Sequence, residues 1–184
     1  HVDGPLLVLA GAGSGKTRVI TRRIAHLILR VGLAPWNILA ITFTNKAAGE
    51  MRERVAQVVS ERQARAVTVA TFHSLCARTL RRYCDEAQLP PGFSIYDSGD
   101  QQRAMKRVLE RLEMSTSHFP PSKMLGAISQ AKQDLLDADA YARTAGDFYT
   151  RNAAKVYKAY EAMLRENNAL DFDDLLLRTV QLMR

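Results

Sequence analysis

The stretch Ala10-Gly11-Ala12-Gly13-Ser14-Gly15-Lys16-Thr17 constrains this chain more than any other. Before it runs Leu6-Leu7-Val8-Leu9, which has the composition of a buried parallel strand. After it, Val19, Ile20, Ile24, Leu27, Ile28 and Val31 recur at helical spacing, and Gly32 follows as a C-terminal stop. Strand, glycine loop, Lys-Thr and helix together make the context of a phosphate-binding loop. Glycines let backbone N–H groups curl around phosphate oxygens. The helix adds its unpaired N–H groups and the positive end of its dipole. Lys16 is placed to reach the β- and γ-phosphates of a nucleotide, and the Thr17 hydroxyl to ligate Mg²⁺. Ala10 stands where the usual pattern opens with Gly, a tolerable change because the first residue carries least of the phosphate contact.

Charge is distributed unevenly around this loop. Residues 1–85 hold 13 Lys and Arg against 5 Asp and Glu, whereas residues 86–184 hold 13 against 14. A basic excess beside the loop suits a polyanion such as nucleic acid, although charge alone does not separate that from ordinary solubility. The two cysteines, Cys76 and Cys84, lie about 12 Å apart if they share a helix, too far for a disulfide. With no CxxC pair, zinc is not expected, and a reduced, cytoplasmic setting is the simplest expectation. No apolar run reaches membrane-spanning length.

The first half alternates between strand and helix. Ile38–Phe43 reads as a second strand, leading to a helix capped by Thr44 or Asn45, with Ala48, Met51, Val55, Val58 and Val59 on its apolar face. Val67–Ala70 reads as a third strand, and a helix follows from Thr71-Phe72-His73-Ser74. This alternation implies a parallel sheet with helices on its faces. Beyond Pro90-Pro91-Gly92 the pattern turns helical. Phe93–Tyr96 reads as one more short strand or as an extended entry to the helices. Ser98 with Gln101 forms a capping-box signature for a helix to about Glu113, and a second helix runs from Ser122 to about Leu136. Tyr149, Ala153, Val156, Tyr157, Tyr160, Met163 and Leu164 form a clean helical stripe, and Asp171 caps a last helix.

Four stretches occur in one order: AGAGSGKT at 10–17, ITFTNKAAGEMRERV at 41–55, TFHSL at 71–75 and DFDDLL at 171–176. Together they resemble the UvrD/PcrA/Rep group of superfamily 1 DNA helicases, and the similarity runs through nearly the whole chain. The resemblance implies an α/β, RecA-like P-loop NTPase sheet with an inserted all-helical subdomain, present in part. Residues 1–90 would form subdomain 1A, 91–165 the helical subdomain 1B, and 166–184 a return to 1A. It implies an ATP- and Mg²⁺-dependent motor moving 3′ to 5′ on single-stranded DNA and acting at single-strand/duplex junctions, with repair or replication proteins as candidate partners. ATP would be held by Ala10, Gly11, Ala12, Gly13, Ser14, Gly15, Lys16 and Thr17. DNA would be contacted by Phe43, Thr44, Asn45, Thr71, Phe72 and His73. Read on its own, Phe43 is a core phenylalanine, Thr44 and Asn45 are simple caps, and His73 is a structural hydrogen-bonding residue.

Asp173 and Asp174 are not expected to be the Mg²⁺-holding acids, because polar Arg165-Glu166-Asn167-Asn168 precedes them where an apolar strand is required. They are expected to cap a helix and shape the DNA-facing side of 1A. No apolar strand ending in Asp-Glu is found, so the 184 residues alone are expected to bind nucleotide weakly without useful hydrolysis. A competing reading is a P-loop protein that binds DNA or a partner without catalysis. A small-molecule kinase is a weaker third, since it would not explain ITFTNKAA or TFHSL.

Overall fold

A computed structural model describes residues 2–11 and 13–184. The chain divides into two compact units, 1–75 and 76–184.

In the first unit, α1 (Lys16–Leu29) is followed by a 3₁₀ turn at Pro35–Asn37, β1 (Leu39–Thr42), α2 (Asn45–Ala56), α3 (Glu61–Ala66) and β2 (Thr68–Thr71). Strands β1 and β2 pair in parallel, with Leu39 opposite Thr68 and Thr42 opposite Thr71. The parallel pairing requires a crossover, and α2 with α3 supplies it. The core forms where Ile24 and Ile28 of α1, Ala48, Met51 and Val55 of α2, and Val69 of β2 meet. Thr44 caps α2, its hydroxyl accepting the Ala47 N–H at 3.1 Å. Helix α3 was not legible from periodicity, being six residues long with Ala64 as its one buried side chain.

The expected first strand is not formed. Leu6–Leu9 pairs with no strand among the described residues, and Leu7 and Leu9 are 82% and 85% exposed. A strand needs a neighbour for its backbone groups, and β1 and β2 of this unit pair with each other alone among the described residues. The sheet therefore has the expected parallel sense but not the expected width.

Helix α4 (Phe72–Arg82) spans the division between the units. The second unit continues with β3 (Ser94–Ile95), α5 (Ser98–Arg111), α6 (Pro121–Gln133), α7 (Ala138–Thr144), α8 (Phe148–Glu166), β4 (Ala169–Leu170) and α9 (Phe172–Leu182). Its main core joins Met105, Val108 and Leu109 of α5 to Met124 and Ile128 of α6 and to Val156, Tyr157, Tyr160 and Leu164 of α8. This is the aromatic stripe visible in the sequence. A smaller cluster gathers Cys76, Leu80, Phe93, Leu170 and Leu175. The cap of α5 lies one residue earlier than its signature: Asp97 accepts the Asp100 N–H at 2.8 Å, and the Asp100 carboxylate accepts the Asp97 N–H. Aspartate and serine cap about equally well, and here Asp97 with Asp100 closes the box, leaving Ser98 as the first helical residue. Both cysteines are free thiols.

Candidate nucleotide and nucleic-acid site

Helix α1 begins at Lys16 with no side-chain cap and no acidic residue in its first turn. Helices α2, α3, α5, α7, α8 and α9 each carry a side-chain cap. The first N–H groups of α1 are thus left for an external acceptor, and an anion is the acceptor that a helix N-terminus favours. Gly13 (φ 74°) and Gly15 (φ 88°) turn the chain through the left-handed region before the helix. A Cβ at Gly13 would meet nothing within 4 Å, so backbone handedness rather than space calls for glycine there.

The loop is tied to itself. The Ser14 hydroxyl donates to the Gly11 carbonyl at 2.6 Å, and the Lys16 ammonium donates to the carbonyls of Gly11 at 2.7 Å and Ala10 at 3.2 Å. The lysine is thereby held folded over the loop. A cavity of about 410 Å³ lies beside it, lined by Gly13, Ser14, Gly15, Lys16, Thr17, Arg18 and Arg54. Among the described residues, three cations and no carboxylate face this space. From the sequence Arg18 reads as part of the general basic excess and Arg54 as a solvent-facing residue of its helix. Thr17 is half-buried in the first turn of α1. Ala12 lies outside the described residues.

A second group forms at the carboxyl ends of β1 and β2. Since Thr42 and Thr71 are partners in the parallel ladder, the residues that follow them, Phe43 and Phe72, leave the sheet side by side. Their ring centroids are 6.0 Å apart and tilted by 50°. Phe43 is 91% exposed and Phe72 46%, which excludes the core reading of Phe43. Ligands of open α/β sheets bind at this edge. Thr44 and Asn45 are exposed at the start of α2, beside Phe43. His73 is exposed as well. Thr71 differs, being buried, with its hydroxyl engaged by the Ser74 hydroxyl at 3.0 Å and the Ser74 N–H at 3.2 Å. It anchors the start of α4 and presents no surface.

Helix α2 touches both groups. Its first residues stand beside the aromatic pair, and Arg54 near its end lines the cavity at the glycine loop. The nine steps from Asn45 to Arg54 span about 14 Å along the helix.

The DFDDLL segment takes a different place from the one expected. Asp171 caps α9, accepting the Asp174 N–H at 2.8 Å, while the Asp174 carboxylate accepts the Asp171 N–H at 3.1 Å. Asp174 is buried and ion-paired to Lys132 at 2.7 Å, so it shapes no surface; Asp173 is half-buried. Among the described residues no group of His, Cys, Asp and Glu is arranged to hold a metal ion. Lys132 was missed in the sequence, though a signal existed: it sits on the apolar face of α6 with Met124, Ile128 and Ala131.

A family model for the UvrD/REP helicase N-terminal domain matches residues 1–184. Among curated proteins, the ATP-dependent DNA helicase PcrA of Leuconostoc citreum is 49% identical over 180 residues, and that of Bacillus subtilis 47%. PcrA of Staphylococcus epidermidis is also 47% identical. Each match takes in 98% of this chain and 24–25% of the relative, so the chain spans about a quarter of the length of these curated relatives.

Proposed function

Since the chain belongs to the UvrD/REP helicase N-terminal domain family, we propose that it is the nucleotide-binding and DNA-contacting portion of an ATP-dependent DNA helicase. The observation that carries this reading is the uncapped start of α1, faced by Lys16, Arg18 and Arg54 and approached through two left-handed glycines. A triphosphate supplies the acceptors that those N–H groups lack. Lys16 exchanges its loop carbonyls for phosphate oxygens, and Thr17 offers its hydroxyl to Mg²⁺, which would neutralise charge between phosphates.

Single-stranded DNA is the second ligand. The exposed ring of Phe43, braced by Phe72, offers a face to a base, and the start of α2 offers Thr44, Asn45 and Lys46 to the phosphate backbone. Helix α2 carries both contacts on one rigid rod, the simplest route by which a nucleotide change would alter the grip on DNA. Translocation 3′ to 5′, action at single-strand/duplex junctions, the division into 1A (1–90 and 166–184) and 1B (91–165), and work alongside repair or replication proteins complete the proposal.

Lys16→Ala tests it. ATP affinity of the chain should fall by roughly 1.5–3 kcal/mol, the usual worth of a hydrogen bond to a charged group. In a complete helicase carrying this domain, DNA-stimulated ATP hydrolysis should be lost. Unchanged ATP binding would refute the nucleotide site. Binding of ATP and DNA by the complete protein without stimulated hydrolysis would instead favour a non-catalytic P-loop module.

A further inference from the structure

The DFDDLL segment is not used by the nucleotide or DNA reading, and it leads to the most highly charged point of the helical unit's interior. The ammonium of Lys132, on α6, is fully buried. It lies 2.8 Å from Glu161 of α8, 2.9 Å from Asp171 and 2.7 Å from Asp174 at the start of α9. The rings of Tyr157 and Tyr160, also on α8, stand 5.8 and 5.5 Å from it. Arg178 of α9 is 3.7 Å from the other oxygen of Glu161, and Arg165 of α8 lines the same cavity of about 330 Å³ from a solvent-exposed position.

The charges do not balance. Three carboxylates share one ammonium, and the longer contact from Arg178 still leaves one negative charge over. Arg165, facing water, is screened and offsets little. Asp171 and Asp174 are moreover locked together by their reciprocal capping bonds, so that Asp171 Oδ2 and Asp174 Oδ1 both face Lys132. Buried like charges held this close do not all ionise.

We propose that the helical unit folds around a trapped proton, held by Asp174, which makes the Lys132 cluster a pH-sensitive clasp between α6, α8 and α9. Burial pushes the Asp174 carboxyl up to about 7, against the pull of Lys132. Burial alone would lower the Lys132 ammonium, but Asp174, Asp171 and Glu161 more than reverse this and keep it charged. An unfolded aspartate titrates near 3.8. From about pH 4 to 7 the folded state therefore binds more protons than the unfolded one, and stability falls as the pH rises through that window.

The infrared carboxylic-acid band of the folded 184-residue chain, followed from pH 5 to 8.5, gives the direct test. A protonated carboxyl band should persist near pH 6, fade towards pH 8.5 and be absent in Asp174→Asn. Urea unfolding at pH 6 should take place with release of about one proton per molecule, and the urea midpoint should fall from pH 5 to 8.5. Asp174→Asn and Glu161→Gln should each flatten that fall, the second by removing the repulsion that holds the proton. Lys132→Met should shift the window to higher pH. No carboxylic-acid band at pH 6, or a wild-type pH slope retained in Asp174→Asn, would overturn the proposal.

Discussion

Two helices of this chain begin in opposite ways. At α9 the first turn is closed from within, as Asp171 and Asp174 cap each other's N–H groups and Lys132 neutralises part of their charge. At α1 the first turn is left open, with glycine at the N-cap and cations around it. Both starts have the same four unsatisfied N–H groups and the same positive dipole. A buried helix start must bring its own anion, because its N–H groups are largely withdrawn from solvent. An exposed start can be left unfinished, and at α1 that is where we propose the nucleotide binds.

Installing at α1 what α9 already has should give the largest effect. Gly15→Asp would place a carboxylate at the N-cap, where the left-handed backbone tolerates aspartate with modest strain. ATP binding should fall below detection by calorimetry while the circular dichroism spectrum is retained; normal ATP affinity would refute the open-helix account. The reverse change removes the closure at α9. Lys132→Met strands two buried carboxylates and the partly buried Glu161, and should cost about 3–5 kcal/mol in denaturant unfolding at pH 7, the usual penalty for breaking a buried pair from one side. A loss under 1 kcal/mol would mean that water reaches the cluster.

Smaller effects follow at the sheet edge. Phe43→Ala should weaken single-stranded DNA binding by ~1–3 kcal/mol in a fluorescence titration, with no change in thermal midpoint because the ring is exposed. A falling midpoint would point to a packing role instead. The mildest test is alkaline titration of the closed cluster. Tyr157 and Tyr160 are raised above the ordinary tyrosine range by burial, and the surrounding carboxylates hold Lys132 above the lysine range despite its burial. The unfolded chain releases these protons from about pH 10, while the folded chain keeps them. Stability should therefore decline steadily above pH 10, and unfolding monitored by tyrosine fluorescence would show it.

The elements that were legible beforehand have local causes. The aromatic stripe of α8, the Thr44 cap of α2 and the strands at 38–43 and 67–70 rest on spacing and on caps within one turn, which a linear pattern records. The turn at the glycine loop has the same kind of cause, because Gly13, Gly15 and Lys16 act on their own backbone. Helices α3 and α7 escaped, each too short to show a period: α3 buries one side chain and α7 none.

By itself, then, the sequence determined the family, the helical stripes and the place of the glycine turn before α1. Tertiary structure decided which apolar or charged residue meets what. Leu6–Leu9 has a strand's composition but no pairing partner among the described residues, so it stays exposed. Phe43 is as apolar as any core residue, yet the register that sets Thr42 against Thr71 directs it outward beside Phe72. Lys132 reads as one lysine among many until α8 and α9 bring three carboxylates to within 3 Å of it. Those contacts join residues 29 to 42 positions apart. Pairing at such separations depends on how whole elements pack, and no local pattern of residues encodes it.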